Sequence, residues 1–367
     1  MIHRFKSIRR LSHLELHPLN VLIGANGAGK SNFVSFFTFM AELINRRLQS
    51  HTAELGGAKR ILSSDCRPSD CFASIVRFPA GSIIFIAAQT EDDRLQLVYE
   101  EFIDSTQKTS RELDELAEKH RNNVGTKESQ LRRLDRPDAP ISPAEEAALR
   151  AVSRWKVYHF HDSSPNAGVK RSCSMTDCEE LHPDASNLAA FLYQLRRNHP
   201  GEYEFITDTV RLVVPYFEDF VLIPRGIAGS DESQINLQWQ QKGCPTLFGP
   251  NQFSDGTIRF ICLTAALLQP DPPATMLFDE PELGLHPSAV EILASMIHSV
   301  STKTQLIVST QSPTLLNKFQ PEDILVVEQE KGNSAFRHIS RQELGSWLDQ
   351  YSLGQLWEKN VLGGRPR

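Results

Sequence analysis

The 367-residue sequence predicts an α/β fold with a mixed central sheet, an antiparallel β lobe and a helical insertion. Three observations carry that expectation. A glycine-rich turn at residues 24–31 stands between an apolar run and an amphipathic one. Three alternating or apolar runs at 73–78, 82–89 and 95–102 are separated by Pro79-Ala80-Gly81 and Glu91-Asp92-Asp93, the pattern of an antiparallel meander. Two late apolar runs, at 275–278 and 306–308, each end abruptly in polar residues, as buried strands do when they deliver side chains to a site.

Taken in order, residues 2–8 and 14–23 read as two strands joined by a short basic turn at Arg9 and Arg10. The second strand ends at Gly24. Residues 30–47 read as a helix with Phe33, Phe36, Phe37, Met40, Leu43 and Ile44 on its apolar side. Between them, Gly24-Ala25-Asn26-Gly27-Ala28-Gly29-Lys30-Ser31 fits the phosphate-loop pattern G-x-x-x-x-G-K-[ST] in full, in the strand-to-helix context the pattern requires. Its glycines let backbone N–H groups converge on one anion without Cβ clashes. The following helix, from Lys30 through Ser31 and Asn32, points its positive end at that anion. Lys30 supplies a mobile charge for β- and γ-phosphates, and the Ser31 hydroxyl is a ligand for Mg²⁺. A nucleoside triphosphatase using ATP and Mg²⁺ is the expectation.

Composition bounds the rest. Apolar residues make up 40% and charged residues 23% of the chain, as in globular proteins. No apolar run is long enough for a membrane span, and the start, Met1-Ile2-His3-Arg4-Phe5-Lys6, has no signal-peptide core, so a cytoplasmic protein with no membrane partner is expected. A net charge of −6 argues against tight non-specific binding to nucleic acid through bulk charge, but leaves a local basic face open. The six cysteines include the close pairs Cys66/Cys71 and Cys173/Cys178. A shared zinc site and free thiols are both compatible with that spacing, the thiols fitting a reducing compartment better.

Residues 104–150 change character. They are dense in mixed charge with sparse leucines (Leu113, Leu116, Leu131, Leu134), and read as two helical pieces broken near 122–125, with a proline-rich connector at 137–143. Either a partly mobile helical insertion or a solvated excursion fits. Residues 155–160 read as a strand ending at His159, His161 and Asp162. Residues 185–198 and 202–214 read as helices, and 217–223 and 235–241 as strands. The expected organisation is 1–103 as the first part of the core with the β lobe, 104–150 as the insertion, 151–230 as a helical lobe, 231–345 as the second part of the core, and 346–367 as a tail.

Four features complete the candidate site. The strand Thr275-Met276-Leu277-Phe278 ends in Asp279-Glu280, which places Asp279 to hold Mg²⁺ and Glu280 to act as base toward water. Such a strand is expected beside the phosphate loop. Ser254 and Gly256 in Phe253-Ser254-Asp255-Gly256-Thr257 open a helix and offer a second anion site, although an ordinary N-cap reads the same way. Glu282-Leu283-Gly284-Leu285-His286-Pro287 follows the acids directly. The run 306–308 leads into Ser309-Thr310-Gln311, and Gln311 is placed to orient the γ-phosphate or its water.

Together these residues resemble the stand-alone bacterial predicted ATPases of the ABC class, in the AAA branch that includes RecF, SMC proteins and the overcoming-lysogenization-defect nucleases. The similarity extends to Phe5-Lys6-Ser7-Ile8, Asn20-Val21-Leu22-Ile23-Gly24, Tyr158-His159-Phe160-His161-Asp162, Leu353-Gly354-Gln355-Leu356-Trp357-Glu358 and Gly363-Gly364-Arg365-Pro366, and is weakest over 104–150. The resemblance implies a composite site, in which Ser254 and Gly256 of one subunit contact the γ-phosphate held at Lys30 of a second, so that an ATP-dependent homodimer sandwiches two nucleotides. It also puts Lys6 near the nucleotide and His161 at a γ-phosphate-sensing position; a surface lysine and a loop histidine are the plainer readings. The signature differs from the Leu-Ser-Gly-Gly-Gln of transporter ATPases, Gln311 replaces their histidine, and His286 stands where they carry aspartate, so a transporter subunit is disfavoured. Two roles stay open: a regulator or sensor in phage defence or genome maintenance acting on a separate effector such as a nuclease, and a DNA-binding repair mediator using Arg9, Arg10, Arg46, Arg47, Arg132 and Arg133.

Overall fold

The computed structural model describes residues 1–66, 70–106, 113–131, 141–226 and 233–364. Its centre is a six-stranded sheet in the order Asn333–His338, Ile324–Glu330, Leu19–Ile23, Gln305–Ser309, Thr275–Asp279, Trp155–Tyr158. The last five run parallel and the first, a hairpin partner, antiparallel, so the sheet is mixed. Alternation along these strands decides what packs where. Leu19, Val21 and Ile23 face one core with Met276, Phe278, Leu306 and Val308, covered by the helices Leu188–Asn198, Asp255–Leu267 and Pro287–Ser301. Leu22, Leu277, Ile307 and Leu325 face the other, covered by the helix Lys30–Ile44.

That helix carries Phe36 and Phe39 into a second, five-stranded antiparallel sheet, while Phe33 and Phe37 meet Phe336 and Trp155 of the central one. The order of the antiparallel sheet is Ile8–Leu11, Ile2–Phe5, Cys71–Phe78, Gly81–Gln89, Leu95–Asp104. Phe39 lies against Phe5, Phe72 and Phe85 with ring centroids 5.9, 5.0 and 5.9 Å away, and Phe5 meets Phe36 edge-on at 5.6 Å. The phosphate-loop helix is thus clamped between two sheets.

The expected meander is present, but the N-terminal strands divide differently. Arg9 and Arg10 are not a turn; they lie inside the strand Ile8–Leu11, and the turn is at Lys6 and Ser7, with Lys6 at a left-handed φ of 46°. Among the described residues of 104–150 the helices are Leu113–His120 and Pro143–Ser153. Leu113 and Leu116 are buried against Ile84, Ile86 and Val98 of the antiparallel sheet, whereas Leu149 and Val152 join the core beneath the phosphate-loop helix. Leu134, Arg132 and Arg133 lie outside the described residues. The run at 235–241 is two strands, Ser233–Ile235 and Gln238–Gln241, in separate small sheets. All six cysteines are free thiols, and among the described residues no group of three or more His, Cys, Asp or Glu side chains is placed to hold a metal. Among those residues no helix is long and apolar enough to cross a membrane.

Candidate nucleotide site

Three parallel strands, Leu19–Ile23, Gln305–Ser309 and Thr275–Asp279, end side by side and build the site from their C-terminal edges. The expected order needs one correction. The strand next to the phosphate loop is Gln305–Ser309, and the acidic strand lies one further out, because Gln305–Ser309 pairs with both neighbours. Asp279 still reaches the loop: its carboxylate accepts a hydrogen bond from Ser31 Oγ at 3.3 Å and another from the Ser309 hydroxyl.

The loop itself is shaped by sterics. Gly27 and Gly29 sit at φ 80° and 113°, in the region that costs L side chains strain. Gly24 is excluded from bearing a side chain by a close approach, since a Cβ there would lie 2.3 Å from the Val327 carbonyl oxygen. A Cβ on Gly29 would lie 2.0 Å from Ser334 Oγ, whose hydroxyl donates to the Ala28 carbonyl at 2.6 Å. Substitution Gly29→Ala is therefore expected to destabilise the protein by about 2 kcal/mol or more, combining backbone strain with displacement of Ser334. A thermal melt checks this; an unchanged Tm would mean the loop is not held as described. Asn26 and Gly27 are exposed at the loop tip, Ala28 and Gly29 are buried, and Gly29 caps the helix.

Lys30 is buried, and its ammonium folds back to donate to the carbonyls of Gly24 at 2.6 Å and Ala25 at 3.1 Å. Burial lowers its pKa, and the nearby Glu280 and Asp279 carboxylates oppose that shift. Asn32 donates to Ser7 Oγ at 2.7 Å, a hydroxyl that itself lies beside Gly29 of the loop. Lys6 donates to Ser35 Oγ at 2.9 Å on the phosphate-loop helix, and burial lowers its pKa. Ser31 Oγ and the Asp279 carboxylate are neighbouring hard oxygen donors, the kind of pair Mg²⁺ takes alongside phosphate oxygens.

Beyond the acidic strand the backbone turns sharply. Glu280 has φ 44°, unusual for a residue with a Cβ, and its N–H donates to the Ser309 carbonyl at 2.9 Å. Its carboxylate accepts from the Gln311 side-chain amide. Asp279, Glu280 and Gln311, chosen from sequence, are therefore brought together. Ser254 and Gly256 lie at the N-terminus of the helix Asp255–Leu267. Ser254 is exposed, and its Oγ accepts from Thr257 N at 3.1 Å, so the N-cap reading of this serine describes the closed-off bond it makes within its own chain. A Cβ on Gly256 would lie 2.3 Å from the Gly284 carbonyl oxygen, which places the signature against the Leu283-Gly284 turn.

Arg259 and Lys170 are participants that the sequence reading missed. Arg259 joins three segments, donating to the carbonyls of His161 at 2.8 Å and Leu283 at 3.0 Å from the signature helix. Lys170 donates to the Ser163 carbonyl at 2.6 Å and lies 3.8 Å from Asp255. His161 thus meets the site through its backbone. Gly364 packs within 3.2 Å of Gly24 Cα, measured from the position of a Cβ, and its N–H donates to Glu328 at 2.9 Å. A basic residue after the signature helix start and a Gly-Gly pair were visible, but neither spacing carries a partner.

Of the basic surface, Arg9 pairs with Asp65 at 3.2 Å, Arg10 with Asp114 at 3.4 Å and Arg47 with Glu42 at 2.6 Å.

Comparison with known proteins adds the following. Residues 107–317 match the family model described as "AAA domain, putative AbiEii toxin, Type IV TA system", more than half of the chain, beginning after the phosphate loop and ending beyond Gln311. No curated protein matches the chain. Among solved structures, an Smc head bound to the C-terminal winged-helix domain of ScpA aligns with a TM-score of 0.57 at 14% identity, over 93% of this chain and 97% of that one. The Smc head of Pyrococcus furiosus, with an extended coiled coil and bound to the C-terminal domain of ScpA, aligns with a TM-score of 0.53 at 13% identity, over 95% and 97%. At these identities the shared property is the fold.

Proposed function

The chain belongs to this AAA domain family, whose description names the AbiEii toxin of type IV toxin–antitoxin systems, and on that premise we propose that it binds ATP with Mg²⁺, hydrolyses it, and closes as an ATP-dependent homodimer that controls a separate effector in phage defence or genome maintenance. The observation that carries the reading is the convergence of Lys30, Ser31, Asp279, Glu280 and Gln311 at the ends of three neighbouring parallel strands.

The chain's own groups divide the work. The backbone N–H groups of the loop and the Lys30 ammonium receive the phosphates. Ser31 and Asp279 would hold Mg²⁺, which when bound neutralises phosphate charge. Glu280 accepts the proton of the attacking water, and Gln311, donating to that carboxylate, keeps it aimed. The exposed Ser254 at a helix N-terminus supports closure against a second subunit. In this reading Ser254→Arg leaves ATP bound to the monomer and blocks the dimer. Size-exclusion chromatography with light scattering checks this in the presence of ATP; an unchanged ATP-induced dimer removes the signature from the interface.

An effector partner, with a nuclease encoded nearby as the first candidate, fits a family named for a toxin system, and the Smc heads above are themselves solved with a ScpA domain bound. Steady-state ATP turnover with and without duplex DNA tests the role. Turnover that DNA leaves unchanged supports a protein partner as the gate. Stimulation by DNA would favour the repair-mediator reading, against which Arg9, Arg10 and Arg47 already stand in ion pairs.

A further inference from the structure

The two turns that carry Glu280 and Gln311 are joined twice. One rung is the Gln311 amide on the Glu280 carboxylate. The second is the Thr310 hydroxyl, which donates to Glu282 Oε1. Thr310 is fully buried, and its N–H donates to the Leu22 carbonyl at 3.0 Å, so this rung is anchored on the phosphate strand itself. The other carboxyl oxygen, Glu282 Oε2, is buried and has no hydrogen-bond partner among the described residues. Burial raises the pKa of this carboxyl; the Thr310 hydroxyl and the backbone at Glu282 and Gln311 oppose that shift, and the nearby Glu280 adds to it.

A carboxyl with one oxygen satisfied and the other orphaned is costly to bury, which directs attention to what its one contact holds in place. What it secures lies on either side. Glu280 holds a left-handed backbone at φ 44°, and such a residue persists only where its surroundings over-determine it. Gln311 follows Thr310 directly. We infer that Glu282 is a positioning residue for hydrolysis, which through Thr310 holds Gln311 in register with Glu280; the inference rests on the nucleotide-hydrolysing reading above. Geometry, not charge, is what the rung requires. The neutral amide of glutamine keeps the Oε1 acceptor at the same reach and suits the buried site. Aspartate is one methylene too short.

Steady-state ATP turnover by the full chain, resolved into kcat and KM, tests this. Glu282→Ala, Glu282→Asp and Thr310→Val are each expected to lower kcat about tenfold, the size of one lost hydrogen bond in the transition state, with KM for ATP changed less than about threefold. Glu282→Gln and Thr310→Ser retain kcat within about threefold. The double variant Glu282→Ala with Thr310→Val is no slower than Thr310→Val alone, which removes the shared bond together with the one Thr310 Oγ1 accepts from Ser312 N at 3.0 Å. Wild-type kcat in Glu282→Ala, a Gln variant as slow as the Ala variant, or additive losses in the double variant would each overturn the inference. If Glu282→Ala fails to fold by circular dichroism, Thr310→Val reports on the same rung from its other end. Wild-type protein turning over no ATP above a Glu280→Gln blank would instead overturn the hydrolytic reading, and this inference with it.

Discussion

Glu280→Gln is expected to bind ATP with near wild-type affinity and to hydrolyse it at least about a hundredfold more slowly, since a positioned general base contributes about 10²–10⁴ in rate. The substitution conserves shape. Gln311 still meets a side-chain oxygen at position 280, and the backbone bond from residue 280 to the Ser309 carbonyl is untouched. Only the capacity to take a proton from water is lost. In an ATP-dependent dimer the consequence is accumulation of the closed form, because hydrolysis is what releases it. A single-turnover assay together with light scattering reads both effects. Turnover at the wild-type rate would move the base elsewhere, and Glu282, two residues on and in contact with the same turn, would be the first place to look.

Lys30→Ala is expected to weaken ATP binding by at least about a hundredfold, the loss of two or so charge-assisted hydrogen bonds. The side chain is already committed to the loop, donating to the Gly24 and Ala25 carbonyls, and it is buried with its pKa lowered by desolvation. A polyphosphate placed there would supply the negative charge this buried ammonium lacks beyond Asp279 and Glu280. Removing the ammonium relieves a desolvated charge but leaves the Gly24 and Ala25 carbonyls without that donor, two effects of opposite sign, so the melting temperature is expected to shift by only a few degrees while titration with a fluorescent ATP analogue shows the loss. Binding within threefold of wild type would place the phosphates away from this loop.

The residues that sequence reading located are those whose signal is local. The phosphate loop is eight consecutive positions flanked by a strand and a helix, and every element of it (glycine sterics, helix dipole, lysine) acts within that span. The antiparallel meander was legible because its turns carry proline, glycine and paired acids. Where local signals were weaker, the reading slipped. Arg9 and Arg10 looked like a basic turn, yet they are strand residues whose charges are met by Asp65 and Asp114 from distant segments. Residues 235–241 looked like one strand and are split between two sheets.

The sequence by itself determined the chemistry available to this chain: a glycine loop with Lys30 and Ser31, an acidic pair at the end of a buried strand, an amide at the end of another, and a serine opening a helix. Tertiary structure alone decided how these meet. The interposition of Gln305–Ser309 between the loop strand and the acidic strand, the Ser309 bond to Asp279, the Thr310 bond to Glu282, the reach of Arg259 to His161 and the seat of Gly364 on Gly24 join residues from 28 to more than 300 positions apart. Hydrophobic periodicity says which face of a strand is buried, but not which strand lies beside it. Strand order is chosen by the packing of both cores at once, and only when it is chosen do the polar ends of the strands acquire partners.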